Sequence, residues 1–203
     1  MDMAFLITSI VTLFVVIDPV ALTPLFITVT QGHTSDERRA IGLRACLVAF
    51  GLLVLFTFLG EGLLGFIGIS MPAFRIAGGI LLFLTALDML FERRSKRRQD
   101  QVDERVDPSV FPLAIPLIAG PGAIATVILL AGQQNTLVGN ITIIATVFVV
   151  LAVAFLFMLA AGPFERILGK TGINVTTRLL GMLLAALSVQ FVLDGLRAFG
   201  LGV

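Results

Sequence analysis

Two short stretches carry the residues that could do chemistry: Ile17-Asp18-Pro19-Val20-Ala21-Leu22-Thr23-Pro24-Leu25 and Ala119-Gly120-Pro121-Gly122-Ala123, each inside an apolar run. An Asp–Pro step breaks a helix, because the proline ring removes a backbone donor, crowds the preceding turn and pushes Asp18 towards extended backbone. The helix can restart at once, with Pro19 in its first position and Asp18 as its cap. Such a half-helix N-terminus presents unpaired N–H groups and a partial positive charge, which attract an anion.

The two breaks differ in sign. At Gly120-Pro121-Gly122 no side chain neutralises the helix end, and glycine lets a ligand come close to the backbone. At Asp18 the carboxylate sits on the helix end and is available to a cation, an ammonium group or a proton. An anion pocket opposite a carboxylate is complementary to a zwitterion. Thr23 and Thr126 add hydroxyls, and Pro24 belongs to the first stretch. The candidate substrate-binding set is therefore Asp18, Pro19, Thr23, Pro24, Gly120, Pro121, Gly122 and Thr126. The plainer reading is structural: Asp18 caps its own half-helix, and Gly-Pro-Gly is a kink that packing requires.

These stretches must be positioned by helices in a membrane. The chain has 203 residues, 58% hydrophobic and 13% charged, with a mean hydropathy of +1.06, far above a water-soluble domain of this size. Runs near 20 apolar residues predict six spans, at about 3–30, 40–60, 71–91, 110–131, 137–162 and 175–199. The runs are continuous rather than alternating, which excludes the strands of a membrane barrel. Glu61 is expected to end the second span, and Gly65–Ser70 and Leu168–Asn174 to be links. The N-terminus has no basic region and no cleavage pattern, so it reads as a first span. With the termini outside, twelve of the fourteen Lys and Arg residues fall on the cytoplasmic side, and the positive-inside rule decides that orientation.

The halves repeat. Pro19, Gly65, Gly68, Arg75 and Gly78 recur as Pro121, Gly169, Gly172, Arg178 and Gly181, at offsets of 102 to 104 positions. Each half has three spans, an odd number, so the second inserts upside down relative to the first. The expected architecture is an all-α polytopic membrane protein: repeats 1–92 and 109–203, joined by a charged cytoplasmic linker 93–108, with helices 1 and 4 broken. Secondary transporters use that layout, with the substrate near the midplane. Arg75 and Arg178 lie in first turns, where the helix dipole disfavours a cation. They are candidates for a gating or ion-pairing role, with snorkelling to the interface as the plainer reading.

The residues speak against several other functions. His33, the only histidine, falls in a loop, and no His/Cys/carboxylate cluster offers a metal site or a catalytic base, so no cofactor and no enzymatic activity are expected. No phosphate-binding P-loop pattern is present, and nothing suggests nucleic acid. An ion or metal exporter remains as an alternative, weakened because Asp18 is the sole deep anionic ligand where cation sites want several oxygens. A membrane scaffold is the other alternative, and homo-oligomerisation is open.

The stretches Asp18–Phe26 and Pro116–Ile124, with Arg178-Leu179-Leu180-Gly181 and Gln190-Phe191, resemble the MarC family of bacterial and archaeal inner-membrane proteins over essentially the whole chain. Where many members of that family carry glycine and asparagine between the two prolines, this chain has Ala21-Leu22-Thr23. The resemblance implies six spans, an inner-membrane location and transport of small neutral amino acids, with H⁺ or Na⁺ as candidate coupling ion.

Overall fold

The computed structural model describes residues 3–91, 107–134 and 136–200; Asp2, Glu92 and the basic residues of the linker, Arg93 to Arg105, lie outside them. The described chain is helical, with no strand. It runs as α1 (Met3–Ile17), α2 (Pro19–Val29), α3 (Ser35–Ile67), α4 (Met71–Leu90), an irregular helical segment (Ser109–Ile118), α5 (Pro121–Gln134), α6 (Leu137–Leu159) and α7 (Ala161–Ala198). Five stretches are long and apolar enough to cross a membrane, six if 109–118 and α5 form one bent span.

Local chemistry explains the boundaries. Thr34 and Glu37 form a capping box that starts α3, a pattern of Thr-x-x-Glu that fixes a helix end. The helix then runs 33 residues, through Glu61 and Gly65, and stops at Gly68 in the left-handed conformation (φ 82°). The expected stop at Glu61 is thus overturned: a charged side chain near a membrane surface can snorkel without breaking a helix, whereas a left-handed glycine ends one. The link expected at 168–174 is present as a sharp break at Gly169 (φ 59°, ψ 176°), where two helical stretches of α7 meet and after which the last span runs from Thr171 to Ala198.

The bundle is apolar both inside and on its lipid-facing surface, with a small set of hydroxyls buried among the core side chains. Large apolar side chains such as Leu47, Phe58, Phe148 and Leu156 face outwards, while Ser9, Thr23, Thr57, Thr126 and Thr146 are buried. Each of these hydroxyls donates to the carbonyl four residues earlier, at 2.7 to 3.0 Å, so it enters the interior already satisfied.

The two restarted half-helices form the centre. From Pro19 to Phe26 only Pro24 is less than fully buried, and from Gly122 to Ala131 only Ile124 is. Around them α3 lies against α6 and the 109–118 segment, and α4 lies along α7. The last pair is antiparallel, and glycines set its spacing. A Cβ on Gly79 would lie 2.8 Å from the Ser188 carbonyl oxygen, one on Gly195 2.6 Å from Ile76, and one on Gly181 3.0 Å from Met89. Gly79, Gly181 and Gly195 thus set the close approach of these two helices, which small residues allow in lipid.

Gly79→Ala should consequently destabilise the protein by roughly 1–3 kcal/mol, since backbone on the partner helix cannot yield to the methyl. Gly51, in α3 with no atom within 4 Å of its Cβ position, should instead gain up to about 1 kcal/mol on substitution by alanine. Thermal unfolding of the two variants in detergent, beside the parent, checks both signs.

Candidate functional site

The site is built on two interruptions. At the first, Asp18 adopts the left-handed conformation (φ 54°, ψ 69°) and its Oδ1 accepts from the Ala21 N–H at 3.2 Å. It is the N-cap expected from sequence, but its backbone is not extended. The left-handed turn, which Asp tolerates better than most residues, keeps the hydrogen-bond ladder running on both sides: the Asp18 N–H donates to Phe14 O at 2.9 Å, and the Leu22 N–H to Asp18 O at 3.0 Å. Met3–Val29 consequently continues as one 27-residue span.

The second interruption is larger. Phe111 and Ile115 each precede a proline and are extended (φ −127°, ψ 123° and φ −128°, ψ 125°), as the proline ring requires of its predecessor. Around each of them the coil widens, with the Leu113 N–H reaching back five residues to Pro108 O at 3.3 Å and the Ala119 N–H to Ala114 O at 2.8 Å. The segment and α5 then meet at 53°. Gly120 stands at that corner, where a Cβ would collide with the Pro116 carbonyl oxygen. Glycine at the cap leaves the first N–H groups of α5 with no side-chain acceptor of their own.

The chain brings the breaks together. A Cβ on Gly122 would be 3.4 Å from Val16 Cγ1, two residues before Asp18, 3.5 Å from Leu82 and 3.7 Å from Thr85 Oγ1. These are ordinary contact distances, so Gly120, not Gly122, is the position that cannot carry a side chain. Leu82 and Thr85 occupy the middle turns of α4, which puts the junction at mid-depth. From there α2 runs to one end of the bundle and α5 to the other, so two helix N-termini converge on the same level.

Asp18, Thr23 and Thr126 are all fully buried. Both threonine hydroxyls donate within their own helices, to Pro19 O at 3.0 Å and Gly122 O at 2.8 Å, which leaves only lone pairs for a ligand. Two further hydroxyls escaped the sequence reading: Thr85, which adjoins Gly122, and Thr12, a buried α1 residue whose Oγ1 has no hydrogen-bond partner among the described residues. Neither carries a proline or glycine that would single it out in a chain rich in threonine.

Arg75 and Arg178 are elsewhere. Arg75, half-buried, begins α4 roughly 10 Å along the axis from Leu82. Its Nε is buried without a hydrogen bond, and no carboxylate pairs with it among the described residues. Arg178 is exposed, beyond the Gly181–Met89 contact at the opposite end of the α4–α7 pair. The two arginines thus bracket the bundle without entering the junction. No group of three or more His, Cys, Asp or Glu that could hold a metal occurs among the described residues.

Outside the spans, Asp107 anchors the start of the second half. Its Oδ1 accepts from Ser109 N and Oγ at 3.0 and 2.7 Å, and its Oδ2 pairs with Arg44 at 2.8 Å. The Ser109 bonds and then Arg44 hold its carboxyl below the usual carboxylate range.

A family model described as "MarC family integral membrane protein" matches residues 3–199. The chain is 40% identical over 190 residues to a "UPF0056 membrane protein" of Aquifex aeolicus, covering 91% of this chain and 89% of that one. It is 36% identical over 198 residues to a protein of the same description from Archaeoglobus fulgidus (96% and 93% covered). It is 34% identical over 192 residues to the "UPF0056 inner membrane protein YhgN" of Escherichia coli (95% and 96%). No solved structure matches.

Proposed function

Since the chain belongs to the MarC family of integral membrane proteins, we propose that it is a secondary transporter of small neutral amino acids or similar zwitterions, rather than an enzyme. One observation carries this reading: two helix N-termini meet at mid-depth, one capped by a buried carboxylate and the other by a glycine. The uncapped end of α5 receives the substrate carboxylate, which a helix N-terminus favours. Asp18 receives the ammonium group or the coupling H⁺ or Na⁺, the use to which intramembrane carboxylates are put.

The packing supports an inverted repeat. The third span lies on the sixth and the second on the fifth, the pairings that a two-fold axis in the membrane plane would generate. Alternating access would then rock the repeats about the junction, with the basic end of the bundle cytoplasmic, both termini outside, and a relative's inner-membrane description as the model for location.

The test is counterflow and uptake of labelled alanine, glycine, serine and threonine in proteoliposomes, with imposed H⁺ or Na⁺ gradients. Accumulation accelerated by one gradient is the expected result. Absence of flux for every amino acid under every gradient would overturn the proposal.

A further inference from the structure

A second site lies at the end of the bundle where α2 and α6 finish and α3 and α7 begin. There a cavity of about 420 Å³ is lined by Arg38 and Arg39 of α3, Arg166 of α7 and Ser35 in the first turn of α3. Its floor is apolar, formed by the buried Phe26 and Met158. The volume lies within the ordinary range for ligand pockets of about 300–1,000 Å³.

The charge in this cavity is one-sided. Among the residues whose side chains are described, which exclude Phe164, Glu165 and Lys170, no carboxylate lines it. Glu37 of the same turn of α3 is spent on the capping box, where the Thr34 backbone and hydroxyl hold its carboxyl below the usual range. Arg38 donates through Nε to the Thr30 carbonyl at 3.1 Å, which ties the end of α2 to α3 and leaves the outer guanidinium nitrogens available. No salt bridge is present at Arg38, Arg39 or Arg166 among the described residues. Three like charges around one hollow repel each other unless an anion joins them.

We propose that this cavity binds a phosphoryl group. One carboxylate satisfies one guanidinium, whereas a phosphate offers oxygens in several directions and matches several arginines at once. The apolar floor and the site's place at the rim of the lipid-facing surface suit a phosphate attached to an apolar tail, as in an anionic phospholipid. A soluble organic or inorganic phosphate shares the head-group chemistry. This site is separate from the mid-depth junction and does not depend on what the junction carries.

The test uses the purified full-length protein in a neutral detergent. Phosphatidylglycerol, phosphatidylcholine, glycerol 1-phosphate and inorganic phosphate are titrated separately, with retention in native mass spectrometry and the thermal midpoint as readouts. Phosphatidylglycerol is expected to be retained and to raise the midpoint where phosphatidylcholine does not. Arg39→Gln/Arg166→Gln should raise its half-saturating concentration by about tenfold or more, as loss of two basic contacts predicts. Arg44→Gln/Arg197→Gln removes two charges elsewhere and should leave it unchanged. Arg38 is kept, because its bond to Thr30 is structural; Arg39→Gln and Arg166→Gln, made singly, replace the pair if it does not fold, each expected to raise the half-saturating concentration by about threefold or more. The same loss seen with glycerol 1-phosphate or inorganic phosphate would also support the site and assign it to a soluble ligand. Equal binding of phosphatidylcholine, no binding of any phosphate, or equal loss in the two double variants would overturn the proposal.

Discussion

Asp18→Asn is expected to bring gradient-driven flux down to that of protein-free vesicles while the protein stays folded. Asparagine is the neutral residue best suited to a left-handed backbone position, and its amide oxygen can accept the Ala21 N–H as Asp18 does. The substitution therefore removes the charge while keeping the cap, and the thermal midpoint should stay close to that of the parent. Asp18→Ala is the contrasting case. It loses a cap worth roughly 0.5–2 kcal/mol and forces a Cβ-bearing residue without a compensating hydrogen bond into a conformation costing about 1–2 kcal/mol. Flux and stability should fall together in that variant. Asparagine retaining full gradient-driven flux would reduce Asp18 to a helix cap.

The second large effect is expected at the corner before α5. In Gly120→Ala the new methyl meets the Pro116 carbonyl oxygen, which is backbone held by the irregular coil and cannot rotate away. Overpacking of this kind costs roughly 1–3 kcal/mol, and the protein should unfold at lower temperature or fail to accumulate. Gly122→Ala is the matched control for the site itself. Its Cβ finds ordinary contacts with Val16, Leu82 and Thr85, so stability should change by less than about 0.5 kcal/mol. A methyl there still narrows the approach to the N-terminal N–H groups of α5, so uptake should drop several-fold. Measured side by side, the pair separates a corner needed for folding from a helix end needed for transport. Unchanged uptake in a stable Gly122→Ala protein would remove the anion half of the proposed site.

Much of this was legible from residue types. Asp-Pro and Gly-Pro-Gly announce helix interruptions because proline's missing donor is independent of context, and both interruptions occur where the residues put them. Continuous apolar runs likewise declare membrane helices. The geometry of the breaks was less readable. Residues before proline are steered away from the right-handed helix, but Asp18 can leave it by the left-handed or the extended route. Only the surrounding bundle decides, by favouring the route that keeps Phe14, Asp18 and Leu22 in one ladder. One helix end was misjudged for a related reason: Glu61 looks like punctuation in a hydropathy profile, whereas hydrogen bonding continues through it. Thr12 and Thr85 could not be singled out, since burial and proximity across helices leave no local mark. The cavity of arginines was hidden too, because Arg39 and Arg166 are far apart in sequence and join only when α3 and α7 start at the same end.

The length of α3 has a mechanical consequence. Its 33 residues measure about 50 Å, whereas the hydrocarbon layer is about 30 Å thick. Even at a typical tilt near 20°, such a rod reaches through both headgroup layers, with Phe66, 90% exposed, at one surface and Arg38 and Arg39 at the other. Thinning or thickening of the bilayer is then felt as torque on a single stiff lever. Because that lever lies against α6 and crosses α5 at Gly60 and Ile128, bilayer thickness acts directly on the half-helix that starts at the junction.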